Sequence, residues 1–245
     1  MTHATLGHGR HGHLDCPGPR DGHGQCPHYV RIIPVEPFTH PPLSQHDLDE
    51  TTAPADPLDL FDGWLAAVFD AGLPEPTAMV LATVSASGQP RARTVLLKEH
   101  GPAGFVFYTN RTSTKGRQLA QQPRACLLFP WYPIQRQVII EGTATALSVS
   151  ESEPYFHSRP RGSQLAAWAS RQSSVLSSRA ELDERYRELE QRWPEGIPVP
   201  MPDFWGGYRV HPEMMEFWQG QPSRMHDRIR YRRSGQTWVA ERLSP

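Results

Sequence analysis

Between residues 78 and 147 the chain alternates short apolar runs with tight-turn sequences, and this restricts its fold more than any other feature. Ala78 to Val84 (AMVLATV) is nearly all apolar and reads as a buried strand. Ser85-Ala86-Ser87-Gly88 is a hairpin turn, and Arg91 to Lys98 (RARTVLLK) is its partner strand. Gly101-Pro102-Ala103-Gly104 turns the chain again into Phe105 to Thr109, and Ala125 to Trp131 and Gln137 to Leu147 continue the pattern. Arg209 to Val210, Met214 to Gln219, Met225 to Arg232 and Trp238 to Leu243 read as the last strands. Short strands with tight turns predict an antiparallel barrel, not a βαβ sheet.

Helices are expected around this sheet. Asp56 caps the first, Pro57 suits its opening turn, and Leu58, Phe61, Leu65 and Val68 form one apolar stripe before Gly72 and Pro74 stop it. Ser113 caps a second, whose first turns hold Lys115 and Arg117. The helix dipole disfavours cations there, so they fit best around a bound anion; the alternative is a polar surface. Ser148 and Glu151 form a capping box for a third, which carries Tyr155 and Arg159 four residues apart. Pro160 breaks that helix, and Ser163 follows. A phenol, a guanidinium and a hydroxyl near one break suit a phosphate, although each alone is common surface decoration. A second capping box, Ser178 with Glu181, opens a charged helix ended by Pro194, read as a solvated face.

Composition excludes several classes. The net charge of -1 gives no electrostatic case for nucleic acid or a membrane surface. No apolar run spans a bilayer, and the start has no hydrophobic signal core. The three cysteines are widely spaced, which argues for a reducing cytoplasm. Residues 1–52 are rich in His, Gly and Pro without periodicity, so a disordered, dispensable tail is expected ahead of one domain over 53–245. His11, His13, Cys16, His23, Cys26 and His28 match no zinc spacing, and no metal site is assigned.

The stretch FWQGQPSRMHDR, Phe217 to Arg228, reads as strand, turn and strand. On an extended chain Arg224, His226 and Arg228 share one face, which then favours an anion or an electron-rich ring. The alternative is a solvated, charged edge strand.

Taken together, RTVLLK (Arg93–Lys98), FYTN (Phe107–Asn110), LLFPW (Leu127–Trp131), RQV (Arg136–Val138), YFHSRPRGSQ (Tyr155–Gln164), QSS (Gln172–Ser174), FWGGYRV (Phe204–Val210), FWQG (Phe217–Gly220) and RMHDR (Arg224–Arg228) resemble the pyridoxamine 5'-phosphate oxidase family. The resemblance is collinear from about Asp56 to Pro245. It implies a mainly β fold with flanking helices, an antiparallel FMN-binding split β-barrel, and a homodimer with two sites at its interface. It also implies that pyridoxamine or pyridoxine 5'-phosphate is oxidised to pyridoxal 5'-phosphate by hydride transfer to FMN, with O2 reoxidising the flavin to give hydrogen peroxide.

Carried over by motif, the FMN contacts are Arg93, Thr94, Val95, Leu96, Leu97, Lys98, Tyr108, Thr109, Lys115, Gln137, Gln172, Ser173, Trp218 and Arg228, with Gln137 coming from the partner chain. The substrate contacts are Lys98, Tyr155, Arg159, Ser163, Arg224 and His226, the last two forming the catalytic pair. Arg93 and Lys98 have opposite parity on a regular strand, which fits two separate phosphates. Two departures stand out. Ser113-Thr114-Lys115 replaces the family's Ser-Arg-Lys, removing one cation, and no Arg-x-x-Tyr lid precedes Asp56, where residues 46–52 are acidic. A related split-barrel reductase using FMN or a deazaflavin, and a non-catalytic carrier of flavin or pyridoxal phosphate, remain as alternatives.

Overall fold

The computed structural model describes residues 48–245. Of the tail expected over residues 1–52, residues 1–47, with their His and Cys residues, lie outside the described residues. The strands are β1 (Ala78–Val84), β2 (Pro90–Leu96), β3 (Glu99–Gly101), β4 (Gly104–Asn110), β5 (Arg124–Trp131), β6 (Arg136–Ala146), β7 (Trp205–Gln219), β8 (Asp227–Ser234) and β9 (Thr237–Arg242). The helices are α1 (Pro57–Asp70), α2 (Thr114–Gln121), α3 (Val149–Ser158), α4 (Arg161–Ala169) and α5 (Arg179–Arg192). All strand pairs are antiparallel, in the order β2-β1-β5-β6-β7-β4-β3. β8 branches from β7 and carries β9.

β7 organises the sheet. Its residues 208–219 pair with β6 along one edge. A strand has only one other edge, and β7 shares it between β4, at 205–210, and β8, at 214–219. The sheet forks there and curls. The pairing of β7 with β6 shifts at Glu141/Gly142, leaving Glu213 as the extra residue of a bulge. Gly142 is required at that place, because a Cβ would overlap the His211 carbonyl.

The register explains the core. Phe129, Val138, Phe217 and Ile229 oppose one another across β5, β6, β7 and β8, and all are fully buried. Leu127, Ile140, Met215 and Tyr231 form the next such row. Helix α1 closes this face with Phe61, Trp64, Leu65 and Val68; Phe61 packs edge-on against Phe105 and Phe129 at 5.1 and 5.2 Å. Asp56 accepts the Leu58 N–H, as expected of the cap. A second cluster of Phe156, Leu165, Trp193, Val199 and Trp205 lies beneath α3, α4 and α5.

Four expectations are corrected. β2 ends at Leu96, so strand parity does not extend to Lys98. Helix α3 ends at Ser158, so Arg159 is its extended C-cap and not a helical residue one turn after Tyr155, and a further helix, α4, follows Pro160 directly. In α5, Ser178 accepts the Glu181 N–H, but the Glu181 carboxylate takes the Ser177 N–H, one residue outside a capping box. Most consequentially, Arg224 and His226 are not on a strand. Pairing stops at Gln219 with Asp227, and Pro222 to Arg224 form a tight turn in which Ser223 and Arg224 have left-handed φ of 56° and 61°. Arg224, His226 and Arg228 therefore do not share an extended face.

The ordered chain also begins before Asp56. Leu48 is 6% exposed within the main core, its carbonyl accepts from Arg242 Nη2 at 3.0 Å, and Arg242 Nε bonds Glu50 at 2.6 Å. Glu50 of this acidic segment thus has a partner in β9. A chain starting at Pro54 is expected to be less stable than one starting at Leu48 by about 1.5–3 kcal/mol, the value of burying one leucine. The exposed ion pair adds little. Thermal melts of the two chains check this, with a Tm difference of roughly 3–12 °C expected.

Candidate active site

A cavity of about 410 Å³ opens where β2, β4 and α2 meet the break between α3 and α4, a volume suited to a small organic ligand. Thr94, Val95, Leu96 and Lys98 line it from β2 and its continuation, and Tyr108 and Thr109 from β4. Lys115, Tyr155, Arg159 and Gln172 complete the expected set there. Trp205, at the start of β7, was not assigned a contact from sequence, although it lies within the FWGG motif. Tyr108 pairs with Gly207, which puts its ring and that of Trp205 on one face of the sheet. Tyr155, Tyr108 and Trp205 stack in turn, with centroids 4.1 and 5.3 Å apart.

Two cations flank this stack. The Arg159 guanidinium lies 5.0 Å from the Trp205 ring and donates to the Ser163 carbonyl at 2.9 Å, while its Nη1 is buried without a partner among the described residues. Ser163 thus contributes its backbone and does not line the cavity. Lys98 Nζ is 5.9 Å from the Tyr155 ring. The Tyr108 hydroxyl donates to Glu99 at 3.1 Å; burial first, then the Glu99 charge, pushes the phenol above its ordinary range.

Helix α2 supplies a third cation, Lys115. Ser113 caps it by accepting the Gly116 N–H. Gly116 lets the first turn press against Arg111, whose carbonyl a Cβ would overlap. This close approach carries Lys115 inward until it is 9% exposed, with Nζ donating to Gln172 Oε1 at 2.8 Å and Thr109 Oγ1 at 3.2 Å. Burial, and then the charge of Arg93, lowers the Lys115 ammonium to about 8. Arg93 is itself lowered, by burial and then by Arg91. Its guanidinium donates only to neutral oxygens, and neither cation pairs with a carboxylate among the described residues.

Arg93 stands behind the cavity wall, and Leu97, 3% exposed, belongs to the core. Ser173 lies just outside with a left-handed φ of 72°, its hydroxyl accepting the Thr114 N–H at 3.2 Å. Thr114 is the place where a cation was expected to be missing. Arg117 folds back to it from one turn later, donating to the Thr112 carbonyl and to Thr114 Oγ1 at 3.5 Å.

The remaining expected residues gather elsewhere. Gln137, Trp218 and Arg228 oppose one another across β6, β7 and β8, on the face opposite the core row beside them. The His226 ring lies 4.6 Å from that of Trp218, and its Nδ1 accepts the Gln221 N–H at 3.1 Å. In this arrangement Nε2 carries the proton of the neutral ring. Arg228 is held by Glu216 at 2.8 and 2.9 Å, and Arg224 is exposed. None of these residues lines the cavity.

Among the described residues, two desolvated cations thus lack acids and a buried guanidinium nitrogen lacks an acceptor, which leaves positive charge uncompensated at two places. The aromatic stack lies beside one of them. No cluster of metal-ligating side chains occurs among the described residues, and no helix among them is long and apolar enough to cross a membrane.

Comparison with known proteins gives the same picture. The family model described as pyridoxamine 5'-phosphate oxidase matches residues 65–192, and that of the pyridoxine 5'-phosphate oxidase C-terminal dimerisation region matches 205–245. A pyridoxine/pyridoxamine 5'-phosphate oxidase of Salinispora arenicola is 53% identical over 199 residues, covering 81% of this chain and 90% of the relative. Among solved structures, PhzG from Burkholderia lata, in complex with tetrahydrophenazine-1-carboxylic acid, is 33% identical with a TM-score of 0.75, covering 80% of this chain and 95% of that one. A pyridoxamine 5'-phosphate oxidase-related, FMN-binding protein from Nostoc punctiforme shares the fold at 19% identity and a TM-score of 0.61, covering 76% and 97%.

The Lys115 environment has a consequence for stability. A lysine whose folded pKa is about 8, against 10.5 unperturbed, binds its proton less tightly when folded. Its cost to the ligand-free fold is therefore full below about pH 8 and fades as pH rises toward 10.5. Lys115→Met is expected to raise the Tm of the ligand-free protein at pH 7, with the gain shrinking steadily across that window. Thermal melts at several pH values check it; a gain independent of pH would mean that the ammonium is not desolvated.

Proposed function

The chain belongs to the pyridoxamine 5'-phosphate oxidase family, and we propose that its cavity binds FMN beside pyridoxine or pyridoxamine 5'-phosphate. It is a flavin-dependent oxidoreductase that converts these vitamin B6 phosphates to pyridoxal 5'-phosphate, and it carries the family's dimerisation region. The observation that carries the phosphate reading is the pair Arg93 and Lys115, both depressed by burial and both lacking an acid. A bound phosphate dianion offsets that cost. Thr109, Gln172 and Ser173 surround the ammonium and the N-terminus of α2 with hydrogen-bonding groups.

The substrate's phosphate is assigned to the second anion point, with Arg159 and Lys98 as its charged ligands and Tyr155 beside them. The unpartnered Arg159 Nη1 supports this. The Tyr155 ring, already stacked on Tyr108, bounds the space beside a planar pyridine. Holding the ring at its phosphate end presents its C4' carbon in one orientation, which is how binding becomes rate. When bound, the flavin supplies the two-electron acceptor, and O2 is the proposed terminal oxidant, giving hydrogen peroxide. Oxidation of the amine leaves an imine that water hydrolyses to the aldehyde and ammonia. His226 and Arg224 are proposed to face the pyridine substituents. The neutral His226 has its Nε2 proton available to donate, because Nδ1 is engaged by Gln221. The compartment proposed is the cytoplasm.

The division of these residues supports sites shared between two chains. Trp205 lines the cavity, whereas Trp218 lies thirteen residues further along β7, roughly 40 Å for an extended strand. One small ligand does not bridge that span on one chain. The proposal is that Gln137, Trp218, Arg228, His226 and Arg224 complete the cavity of a second copy.

Three outcomes test this. Mixing the flavin-loaded protein anaerobically with pyridoxamine 5'-phosphate is expected to bleach the flavin, and admitting air to release peroxide; no bleaching would sink the oxidase reading. Arg159→Ala and Arg224→Ala are each expected to lower kcat/KM for that substrate about ten- to a hundredfold, equivalent to ~1.5–3 kcal/mol for a hydrogen bond to a charged group, without loss of flavin. Parallel loss of flavin would move these residues to the flavin site. Finally, Lys115→Ala and Trp218→Ala chains, each weakly active alone, are expected to regain activity when allowed to exchange subunits. A mixed dimer then has one intact site, and failure to complement would place both residues in the same half-site.

A further inference from the structure

Residue Gln118 received no role from sequence, yet it meets Arg93 behind the wall of the cavity, on the helix that carries Lys115. It lies on α2 three residues after Lys115, and so on a neighbouring part of the same helical face. Gln118 is 6% exposed, and Thr83, opposite it on β1, is 1% exposed. The Thr83 hydroxyl donates to Gln118 Oε1 at 2.6 Å. Arg93 reaches across from β2 and donates from Nη1 to Thr83 Oγ1 at 2.7 Å and to the Leu81 carbonyl at 3.0 Å. Its Nη2 lies 3.4 Å from the same Gln118 oxygen. Three neutral oxygens thus take one side of the guanidinium, and its other N–H groups make no hydrogen bond among the described residues.

We propose that Gln118, with Thr83, is a positioning residue that aims the Arg93 guanidinium while leaving its charge uncancelled, and so sets the preference for a phosphorylated flavin over an unphosphorylated one. This rests on the reading that Arg93 and Lys115 face the flavin phosphate. A buried arginine ordinarily finds a carboxylate, which satisfies its donors and neutralises it together. Here the acceptor has the shape of a glutamate but no charge. A carboxylate at this place would take up the field of Arg93, and that of Lys115 close by, before any ligand arrived. One helix therefore supplies one cation directly and aims a second through an amide.

Gln118→Glu is nearly isosteric and tests this directly. Equilibrium quenching of flavin fluorescence would be measured for the full-length chain stripped of flavin, with FMN and with riboflavin. Gln118→Glu is expected to keep or raise the Tm, through a new pair with Arg93, yet to weaken FMN about tenfold or more and leave riboflavin within about twofold. Gln118→Leu, which removes the acceptor, is expected to narrow the FMN-to-riboflavin ratio in the same direction. An unchanged ratio in Gln118→Glu overturns the proposal, and so does equal loss of both flavins with a lowered Tm, which marks a purely structural glutamine. Lys115→Ala separates the two levels. If it discriminates between the flavins and Gln118→Glu does not, only the role of Gln118 falls. If Lys115→Ala also fails to discriminate, the phosphate reading itself falls.

Discussion

Strand β7 hydrogen-bonds to β6 along one edge and divides the other between β4 and β8, and most of the remaining architecture follows from that division. The β4 half brings Tyr108 and Thr109 to the cavity beside Trp205. The β8 half brings Arg228 alongside Trp218 and Gln137 on a separate surface. The same strand supplies Met215 and Phe217 to the two buried rows that join the halves. Alternation along one strand thus builds core on one face and the surface of candidate site residues on the other. The bulge at Glu141/Gly142 and the fork bend this surface without interrupting the core.

Charge is treated differently at the two surfaces. Arg228 lies against Glu216, which is 8% exposed, so this cation is held and partly neutralised within its own chain. Among the described residues, Arg93 and Lys115 hydrogen-bond only to hydroxyl, amide and carbonyl oxygens. The ligand-free fold bears the cost of that arrangement, and the buried rows beneath α1 outweigh it. Such local instability is expected where a fold is built to accept a charged group. Thr114 stands where the resembled family has an arginine, and the Arg117 guanidinium, one turn later, folds back to its hydroxyl.

Several features were legible because they depend on neighbours in the chain. The apolar run AMVLATV, the Asp56 cap and the Ser148–Glu151 box all depend on residues within a few positions, and the strand and both caps form as expected, although only every second residue of the strand is buried. Lys115 at the start of α2 was readable for the same reason, since its conflict with the helix dipole is local. The expectation for Arg224 and His226 failed because a parity argument assumes continuous strand geometry. The left-handed turn at Ser223 and Arg224 breaks it, and neither residue type announces such a φ. The docking of Leu48 to Ala53 was missed because its partners, Arg242 and the core around Tyr231, lie far away in sequence.

By itself, then, the sequence determined the antiparallel strand pattern, the helix caps and, through its motifs, the family and the set of candidate site residues. These are encoded in spacing, which a linear chain carries explicitly. Only the tertiary structure decided where those residues stand. It placed ten of the expected residues around one cavity, withdrew Leu97 into the core, and set Gln137, Trp218 and Arg228 in a row elsewhere. It also joined Gln118 to Arg93 and Thr83, which are 25 and 35 residues away along the chain. Contacts of that separation are fixed by strand register and by how closely α2 approaches the sheet. Both arise from packing over the whole fold, and no local segment contains them.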